Sequence, residues 1–182
     1  MTDDLRLDVR HTAQLEPALL QHLRRLLDDV YDGDFSDDDW DHALGGLHVL
    51  AWSAAELVGH AALVQRQLVQ GERPLRAGYV EAMAVLEAQQ RRGIGTRLML
   101  ELERVIAAAY DLGALSASEE GVALYVRRGW LPWRGPTAVI LPTGTERTPD
   151  EDGGIYVFSH ARGPRLDLDA ELACDYRRGD VW

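Results

Sequence analysis

The sequence contains one cysteine and no lysine, and it has no long apolar run. A single thiol, Cys174, excludes an internal disulfide and is typical of a protein from a reducing compartment. Every apolar run is far shorter than the ~20 residues that a helix needs to cross a bilayer. The acidic start Met1-Thr-Asp-Asp also differs from a signal peptide. We therefore expect a cytoplasmic protein with no membrane partner.

Positive charge is also scarce. The chain has 19 basic residues, all arginine, against 30 acidic ones, for a formal net charge of −11. A strongly acidic chain repels phosphates, so we expect no nucleic-acid partner, and an acidic surface favours cationic ligands. The alternative is that the charge serves solubility alone. The length of 182 residues and a hydrophobic content of 46% predict one globular domain over 1–182.

The histidines, at positions 11, 22, 42, 48, 60 and 160, show no metal-ligand spacing such as H-E-x-x-H, so we predict no metal. His48 and His60 fall in predicted strands and are interpreted as structural. Cys174 has no histidine nearby in sequence and is interpreted as a packed residue.

The stretch 76–100 predicts a strand, a turn and a helix. Apolar strand formers run from Tyr79 to Val85, and Glu81 interrupts them, which is costly in a buried strand unless the carboxylate has a partner. The turn is Gln90–Gly95. After it, apolar residues recur at helical spacing from Ile94 to Ile106.

The turn and the helix start predict an anion site. The unpaired N–H groups of both would face one space, which suits a pyrophosphate. Gly93 and Gly95 have no Cβ, so a phosphate can approach the backbone closely. Arg91 and Arg92 add positive charge. The alternative is a surface turn with solvated arginines.

The remaining pattern predicts a mixed α+β (α/β) fold: a central β-sheet of about six to seven strands flanked by helices. Two helices have predicted caps, at Ser36 and Ser118. Pro142–Gly154 is rich in Pro, Thr, Gly and acids and predicts a thirteen-residue loop. The predicted strands are 5–9, 47–52, 57–69, 79–85, 114–117, 137–141 and 155–158.

The pattern Q-x-x-G-x-G after a strand ending Met83-Ala84-Val85 resembles the coenzyme A loop of the GNAT N-acetyltransferases, and Ala123–Trp130 resembles the helix that places a tyrosine beside the cofactor sulfur. The resemblance implies a GNAT fold with a splayed strand pair that binds acetyl-CoA. The implied cofactor contacts are Met83, Ala84, Val85, Gln90, Arg91, Arg92, Gly93, Ile94, Gly95 and Thr96.

A narrower resemblance is to the aminoglycoside 2′-N-acetyltransferases. It rests on the joint order of Gly33-Asp34-Phe35, Asp39-Trp40, Tyr79-Val80-Glu81, Tyr110–Ser116, Arg128–Trp133, Arg147–Asp150 and the final Gly179-Asp180-Val181-Trp182. It implies a cationic aminoglycoside as partner, held by carboxylates on several segments. The implied substrate-binding residues are Asp34, Glu81, Ala82, Ser116, Glu151, Asp180 and the carboxylate of Trp182. Glu151 departs from the family, which has aspartate there.

Three residues are assigned chemical roles. Glu81 is the candidate base for the attacking amine, with a hydrogen-bonded strand residue as the alternative. The resemblance assigns the N–H of Met83 to the oxyanion. Tyr125 has the chemistry to protonate the departing thiolate, and a packed helix tyrosine is the alternative.

Two rival functions remain open on the sequence. The same fold and cofactor would serve another polyamine, a peptide N-terminus or a small biosynthetic amine. A protein that binds acetyl-CoA or a cation as a sensor, without turnover, is the second rival. The apolar segment Trp130–Trp133 predicts a homodimer, and so does the resemblance, because members of that family are often dimers.

Overall fold

The computed structural model describes residues 5–182, so the acidic start Met1-Thr-Asp-Asp lies outside the described residues. The chain forms two compact units. Unit 1 comprises the residues up to Val64 together with Val80–Leu102, and unit 2 comprises Gln65–Tyr79 with Glu103–Trp182.

The elements follow one another in this order. The strands are β1 (Leu5–His11), β2 (Leu47–Ser53), β3 (Glu56–Gln70), β4 (Arg73–Val85), β5 (Leu112–Ser116), β6 (Leu131–Pro132), β7 (Thr137–Leu141), β8 (Gly144–Arg147), β9 (Ile155–Phe158) and β10 (Leu172–Asp175). The helices are α1 (Pro17–Val30), α2 (Asp37–Ala43), α3 (Ile94–Ala109) and α4 (Glu119–Arg127), with 3-10 turns at Thr12–Gln14, Glu87–Gln89 and Pro149–Glu151.

Unit 1 is an antiparallel meander covered by α1. β1 pairs with β2, and β2 pairs with β3, with Leu50 opposite His60. The apolar face of α1 packs against the strands because its leucines recur at helical spacing. Burial of each such leucine stabilises the fold by about 1.5–3 kcal/mol. The buried members of this core are Leu15, Leu23, Leu26, Leu27, Phe35, Leu50, Leu57 and Ala84.

Unit 2 holds a mixed sheet with the strand order β6-β9-β5-β4-β3-β10-β7-β8. β4 runs parallel to β5, and β10 runs parallel to β7, while the pairs β3–β10, β5–β9, β6–β9 and β7–β8 are antiparallel. Trp130 and Trp133 are each only 1% exposed and fill the core of this unit. Glu103, itself buried, accepts hydrogen bonds from Arg128 and from the Trp130 indole, so its charge is paired.

The predicted mixed α+β sheet with flanking helices is confirmed, and so are the caps at Ser36 and Ser118. Over residues 5–182 the sheet has ten strands, three more than the seven predicted ranges, because β6, β8 and β10 carry weak sequence signals. The prediction that 142–154 is a loop was wrong. β8 lies inside it, fully exposed, and is held by its ladder to β7 and by hydrogen bonds from Arg147 to Thr137 and Asp152.

Within residues 5–182 no helix is both long and apolar enough to span a membrane. The tryptophans of the segment 130–133 point into their own unit, which leaves Leu131, 46% exposed, as its large apolar side chain on the surface.

Two buried histidines form a hydrogen-bonded chain through unit 1. Thr12 Oγ1 lies 2.8 Å from His48 Nε2, His48 Nδ1 lies 2.9 Å from His60 Nε2, and His60 Nδ1 lies 2.8 Å from the carbonyl oxygen of Ala82. Both imidazoles are fully buried. Burial, with the neighbouring His11 as a smaller cause, lowers the pKa of His48 to about 4. Burial and then His48 lower the pKa of His60 to about 3.

This pair makes the protein sensitive to acid. The folded state binds fewer protons than the unfolded state, so the contribution to stability is complete above the ordinary histidine pKa of 6.5 and is lost as the pH falls toward 4. We expect the free energy of unfolding in urea to fall by about 3 kcal/mol or more between pH 7 and pH 4. The double variant His48→Gln/His60→Asn should show a shallower loss. The control His22→Gln should keep the slope of the wild type, and equal slopes in all three proteins would contradict the assignment.

Candidate active site

The strand β4 contains a left-handed residue at its second half. Ala82 has φ of +49°, which is rare for a residue with a Cβ and costs about 1–3 kcal/mol unless neighbours hold it. A residue of this kind breaks the alternation of a strand and redirects the side chains beside it. The two neighbours of Ala82, Glu81 and Met83, are both half-buried. These are the residues to which the sequence assigns the base and the oxyanion donor.

The peptide groups around Ala82 are held by side chains of unit 1. His60 donates to the Ala82 carbonyl, and the hydroxyl of Tyr31 donates to the Met83 carbonyl at 3.1 Å. The carbonyl of Tyr31 in turn accepts the N–H of Asp34 at 2.9 Å. No local sequence pattern indicates these partners, because each contact depends on the strand register and on the path of the chain after α1.

Asp34 lies just before α2 and its side chain is exposed. Arg24 donates to the carbonyl of the adjacent Phe35 at 3.0 Å, pairs with Asp28 and Asp37 at 2.8 and 2.9 Å, and stacks on Phe35 and Trp40. That arginine therefore fixes the segment around Asp34 while its charge is taken by other carboxylates.

The turn after β4 presents backbone donors at the start of α3. The first helical hydrogen bond runs from Arg97 N–H to the Gly93 carbonyl at 3.1 Å, so the N–H groups of Ile94, Gly95 and Thr96 have no partner inside the helix. Gly93 has φ of +81°, and a Cβ built there would meet nothing within 4 Å. This open, amide-lined helix start suits a phosphate anion.

Two contacts fix the position of this turn within unit 1. The side-chain amide of Gln90 donates to the Val85 carbonyl at 3.3 Å, and Leu86 N–H donates to the Val58 carbonyl at 3.0 Å. A Cβ at Gly59 would lie 3.1 Å from Ile94 Cγ2, so the absence of a side chain there lets α3 begin directly against β3.

In unit 2 the predicted substrate residues converge on the end of β9 and the last segment of the chain. Ser116, exposed, lies opposite Ile155 in the β5–β9 ladder, and Gly154 N–H donates to the Glu151 carbonyl. Trp182 is buried, with 3% exposure, and its backbone N–H donates to Asp180 Oδ1 at 3.3 Å.

Glu151 is half-buried among like charges. Burial first, and then Asp180 and Asp150, raise the pKa of the Glu151 carboxyl above its usual value. Two carboxylates that repel one another leave a place for a cation. The sequence placed Glu151 and Asp180 in one site by resemblance, and the structure brings them within electrostatic range of each other.

Arginines hold the last segment in place. Buried Arg66 donates to Asp175 Oδ1 at 3.1 Å and to the carbonyls of Asp175 and Val181 at 2.7 and 2.8 Å. Arg177 donates to the main-chain oxygens of Asp180 and Trp182 at 2.9 and 2.7 Å. Both guanidinium groups stack on the Tyr79 ring, at 4.8 and 5.4 Å from its centroid.

The sequence analysis missed Arg66, although one signal was present. Arg66 stands in phase with Val64 and Leu68 on a strand that alternates inward and outward, so a charge on the inward face needed a partner. The Trp182 indole also has an unforeseen partner, because it donates to Thr148 Oγ1 at 2.9 Å.

Tyr125 lies on α4, as the resemblance implies, and is buried. Its ring packs on Gly121, where a Cβ would lie 2.8 Å from the ring, and it is 6.2 Å from the Trp130 ring. Burial raises the pKa of the phenol to about 12. The hydroxyl therefore stays protonated at neutral pH, as a proton donor must.

Cys174 is buried and its thiol donates to the Val181 carbonyl at 3.3 Å, which confirms a packed residue. Burial raises the pKa of this thiol to about 11, so it is not a nucleophile at neutral pH. Among the described residues no cluster of three or more His, Cys, Asp and Glu side chains has the arrangement of a metal site. The absence of a metal stays a prediction.

The chain matches the model of the acetyltransferase (GNAT) family over residues 16–130. An aminoglycoside 2′-N-acetyltransferase from Mycolicibacterium fortuitum is 47% identical over 174 residues, which cover 94% of this chain and 89% of the relative.

Solved structures agree on the fold. A GNAT family acetyltransferase from Brucella melitensis in complex with acetyl-CoA has a TM-score of 0.60 at 16% identity and covers 95% of this chain and 97% of its own. An acyl-CoA N-acyltransferase from Pseudomonas aeruginosa has a TM-score of 0.61 at 17% identity and covers 86% and 100%. At these identities the likeness concerns the fold alone.

The repulsion at Glu151 has a measurable cost. Since its folded-state pKa is raised, the folded protein favours the protonated carboxyl, and stability is lost as the pH rises through that pKa. We expect Glu151→Gln to raise the Tm at pH 7 by about 1–3 °C after allowance for solvent screening, and to have little effect at pH 4. Differential scanning calorimetry measures both values. The control Glu146→Gln, on exposed β8, should change neither, and a Glu151→Gln protein no more stable than this control would refute the argument.

Proposed function

The chain belongs to the GNAT acetyltransferase family, and from that premise we propose that it transfers the acetyl group of acetyl-CoA to the 2′-amine of an aminoglycoside. The observation that carries the substrate class is the half-buried Glu151, which Asp180 repels. An ammonium group between them would relieve that repulsion, and the name of the Mycolicibacterium fortuitum relative points to the same class of substrate.

Acetyl-CoA fits the start of α3. Its pyrophosphate would accept from the free N–H groups of Ile94, Gly95 and Thr96, with Arg91 and Arg92 as nearby positive charge. Gly93 leaves the space beside this turn open, which suits the close approach of a phosphate. The strand segment Met83–Val85 would contact the arm of the cofactor, as the family resemblance implies.

An aminoglycoside carries several ammonium groups at neutral pH, and each makes its strongest hydrogen bonds to carboxylates. In this proposal Asp34, Glu81, Glu151, Asp180 and Trp182 bind those groups, and Ser116 and the main chain at Ala82 add polar contacts. A site of one charge sign also raises the local concentration of a substrate of the opposite sign. The glutamate at 151, longer by one methylene than the family's aspartate, is the last residue of the 3-10 turn Pro149–Glu151.

The chemistry needs two proton movements. Glu81 accepts the proton that the attacking amine must lose, directly or through one water, as the C–N bond forms. The N–H of Met83 donates to the acetyl oxygen where negative charge develops. Tyr125, which burial keeps protonated at neutral pH, then gives its phenolic proton to the sulfur as the C–S bond breaks. The role of Met83 comes from the family resemblance, and those of Glu81 and Tyr125 come from the chemistry of their side chains.

We also propose one functional domain over 1–182, a cytoplasmic location and a homodimer. The dimer is proposed because members of the family are often dimers. Trp130 and Trp133 do not support it, because their side chains are buried within the chain.

A paired substrate test examines the function. Purified protein and acetyl-CoA are incubated with two kanamycins that differ only in an amine or a hydroxyl at the 2′ position, and released thiol is followed by absorbance. We expect turnover with the 2′-amine alone, with the product carrying one acetyl group whose position NMR assigns to the 2′ nitrogen.

The other outcomes separate the rivals. Equal rates with both kanamycins would overturn the 2′ assignment. Turnover with spermidine or a peptide amine but with no aminoglycoside would give the chain another amine as substrate. Thiol release with none of these amines, alongside measurable acetyl-CoA binding, would identify a sensor.

Loss of the phenol should slow the reaction without weakening binding. We expect Tyr125→Phe to lower kcat about 100-fold, because general acid catalysis of this kind contributes about 10²–10⁴. The KM values should stay within a factor of about three. Tyr156→Phe, another buried tyrosine of unit 2, is the matched control and should keep the wild-type kcat. A Tyr125→Phe protein as fast as this control would remove Tyr125 from the mechanism.

A further inference from the structure

We propose that His60 is a positioning residue: its hydrogen bond to the Ala82 carbonyl holds the left-handed bend of β4 that aims Glu81 and the N–H of Met83. The role of that aim rests on the proposed acetyltransferase function. The hydrogen bond and the bend it holds do not, so the two are tested separately.

The direction of every hydrogen bond in the chain is fixed by its last acceptor. A carbonyl only accepts, so His60 carries its proton on Nδ1 and donates it to Ala82 at 2.8 Å. His60 Nε2 is then an acceptor and takes the Nδ1 proton of His48 at 2.9 Å. His48 Nε2 accepts the hydroxyl proton of Thr12 at 2.8 Å. Every ring nitrogen of His48 and His60 therefore has a partner, and the Thr12 hydroxyl lies closer to His48 Nε2 than to its other acceptor, the Gly46 carbonyl at 3.3 Å.

The bend at Ala82 needs such support. A non-glycine residue at φ +49° inside a strand is strained and persists where the surroundings determine it. His60, on β3, donates a hydrogen bond to the Ala82 carbonyl. Tyr31, which follows α1, donates one to the next carbonyl, that of Met83. Without the imidazole, the part-buried Ala82 carbonyl would lose the hydrogen bond from His60, and the strand would gain by relaxing to an ordinary extended conformation.

The directions of these hydrogen bonds also exclude a proton relay through His48 and His60. A proton taken up by Glu81 has no route through the pair, because the chain ends on a backbone oxygen that does not release or carry a proton. Both imidazoles also stay neutral at the pH of the reaction, since burial lowers both pKa values far below 6.5. His60 therefore acts through the backbone and not as an acid or base.

The first test compares two core variants of unit 1. His60→Leu removes the hydrogen bond and keeps an apolar side chain of similar size, and Val49→Ala opens a cavity in the neighbouring strand without touching Ala82. We expect kcat of His60→Leu to fall at least tenfold while the Kd for coenzyme A changes less than threefold. Val49→Ala should lose stability but keep its kcat within a factor of about two of the wild type.

Two rescues separate positioning from packing. His60→Asn restores a donor at the place of Nδ1 and should recover most of kcat. In the double variant His60→Leu/Ala82→Gly, glycine adopts φ +49° without strain, so the bend needs no outside support and kcat should also rise above that of His60→Leu. If neither change raises kcat, or if Val49→Ala loses as much as His60→Leu, then His60 is a packing residue and the proposal fails.

A readout without turnover covers the remaining cases. Hydrogen exchange of the segment 80–86, followed by mass spectrometry, should be faster in His60→Leu than in Val49→Ala and should return toward the wild-type rate in His60→Asn. If the wild type acetylates none of the amines, the proposed function fails, yet this exchange pattern still decides whether His60 holds the strand. Equal exchange in His60→Leu and Val49→Ala would overturn the proposal on its own.

Discussion

A non-glycine residue in the left-handed region of the Ramachandran map survives inside a strand only where its neighbours hold it there. Ala82 is such a residue in β4, at φ +49°. The buried imidazole of His60 and the phenol of Tyr31 hold the carbonyls of Ala82 and Met83 from two sides. The chemistry proposed for Glu81 and Met83 depends on this short stretch of backbone, and the buried pair His48 and His60 leads to it through a chain of hydrogen bonds.

In unit 2 a functional segment of backbone is likewise held in place, but by charged arginines and not by neutral rings. Arg66 has only 3% exposure, and burial of a guanidinium is tolerated because two carbonyls, one carboxylate and the face of Tyr79 surround it. With Arg177 it fixes the segment that carries Asp180 and Trp182. Asp180, which repels Glu151, therefore stands on a backbone segment that these two arginines hold in place.

The local signals of the sequence were sufficient for much of the fold. The Ser36 and Ser118 caps and the leucine spacing of α1 are determined by residues within a few positions of one another, so they were predicted and confirmed. β8 was missed because Gly144–Arg147 has no apolar alternation and is held only by its partner strand. The contacts within the candidate site could not be predicted from the sequence for the same reason. His60 meets Ala82 across 22 positions, and Arg66 meets Val181 across 115, through registers that no local pattern specifies.

The bend in β4 also has a consequence for the evolution of this family of chains. Ala82 tolerates its conformation because the imidazole compensates for the strain, whereas glycine at that position would tolerate it unaided. Positions 60 and 82 are then expected to covary in an alignment of homologues. Lineages that acquire glycine at 82 are released from selection for histidine at 60, and those that retain a side chain at 82 keep the histidine.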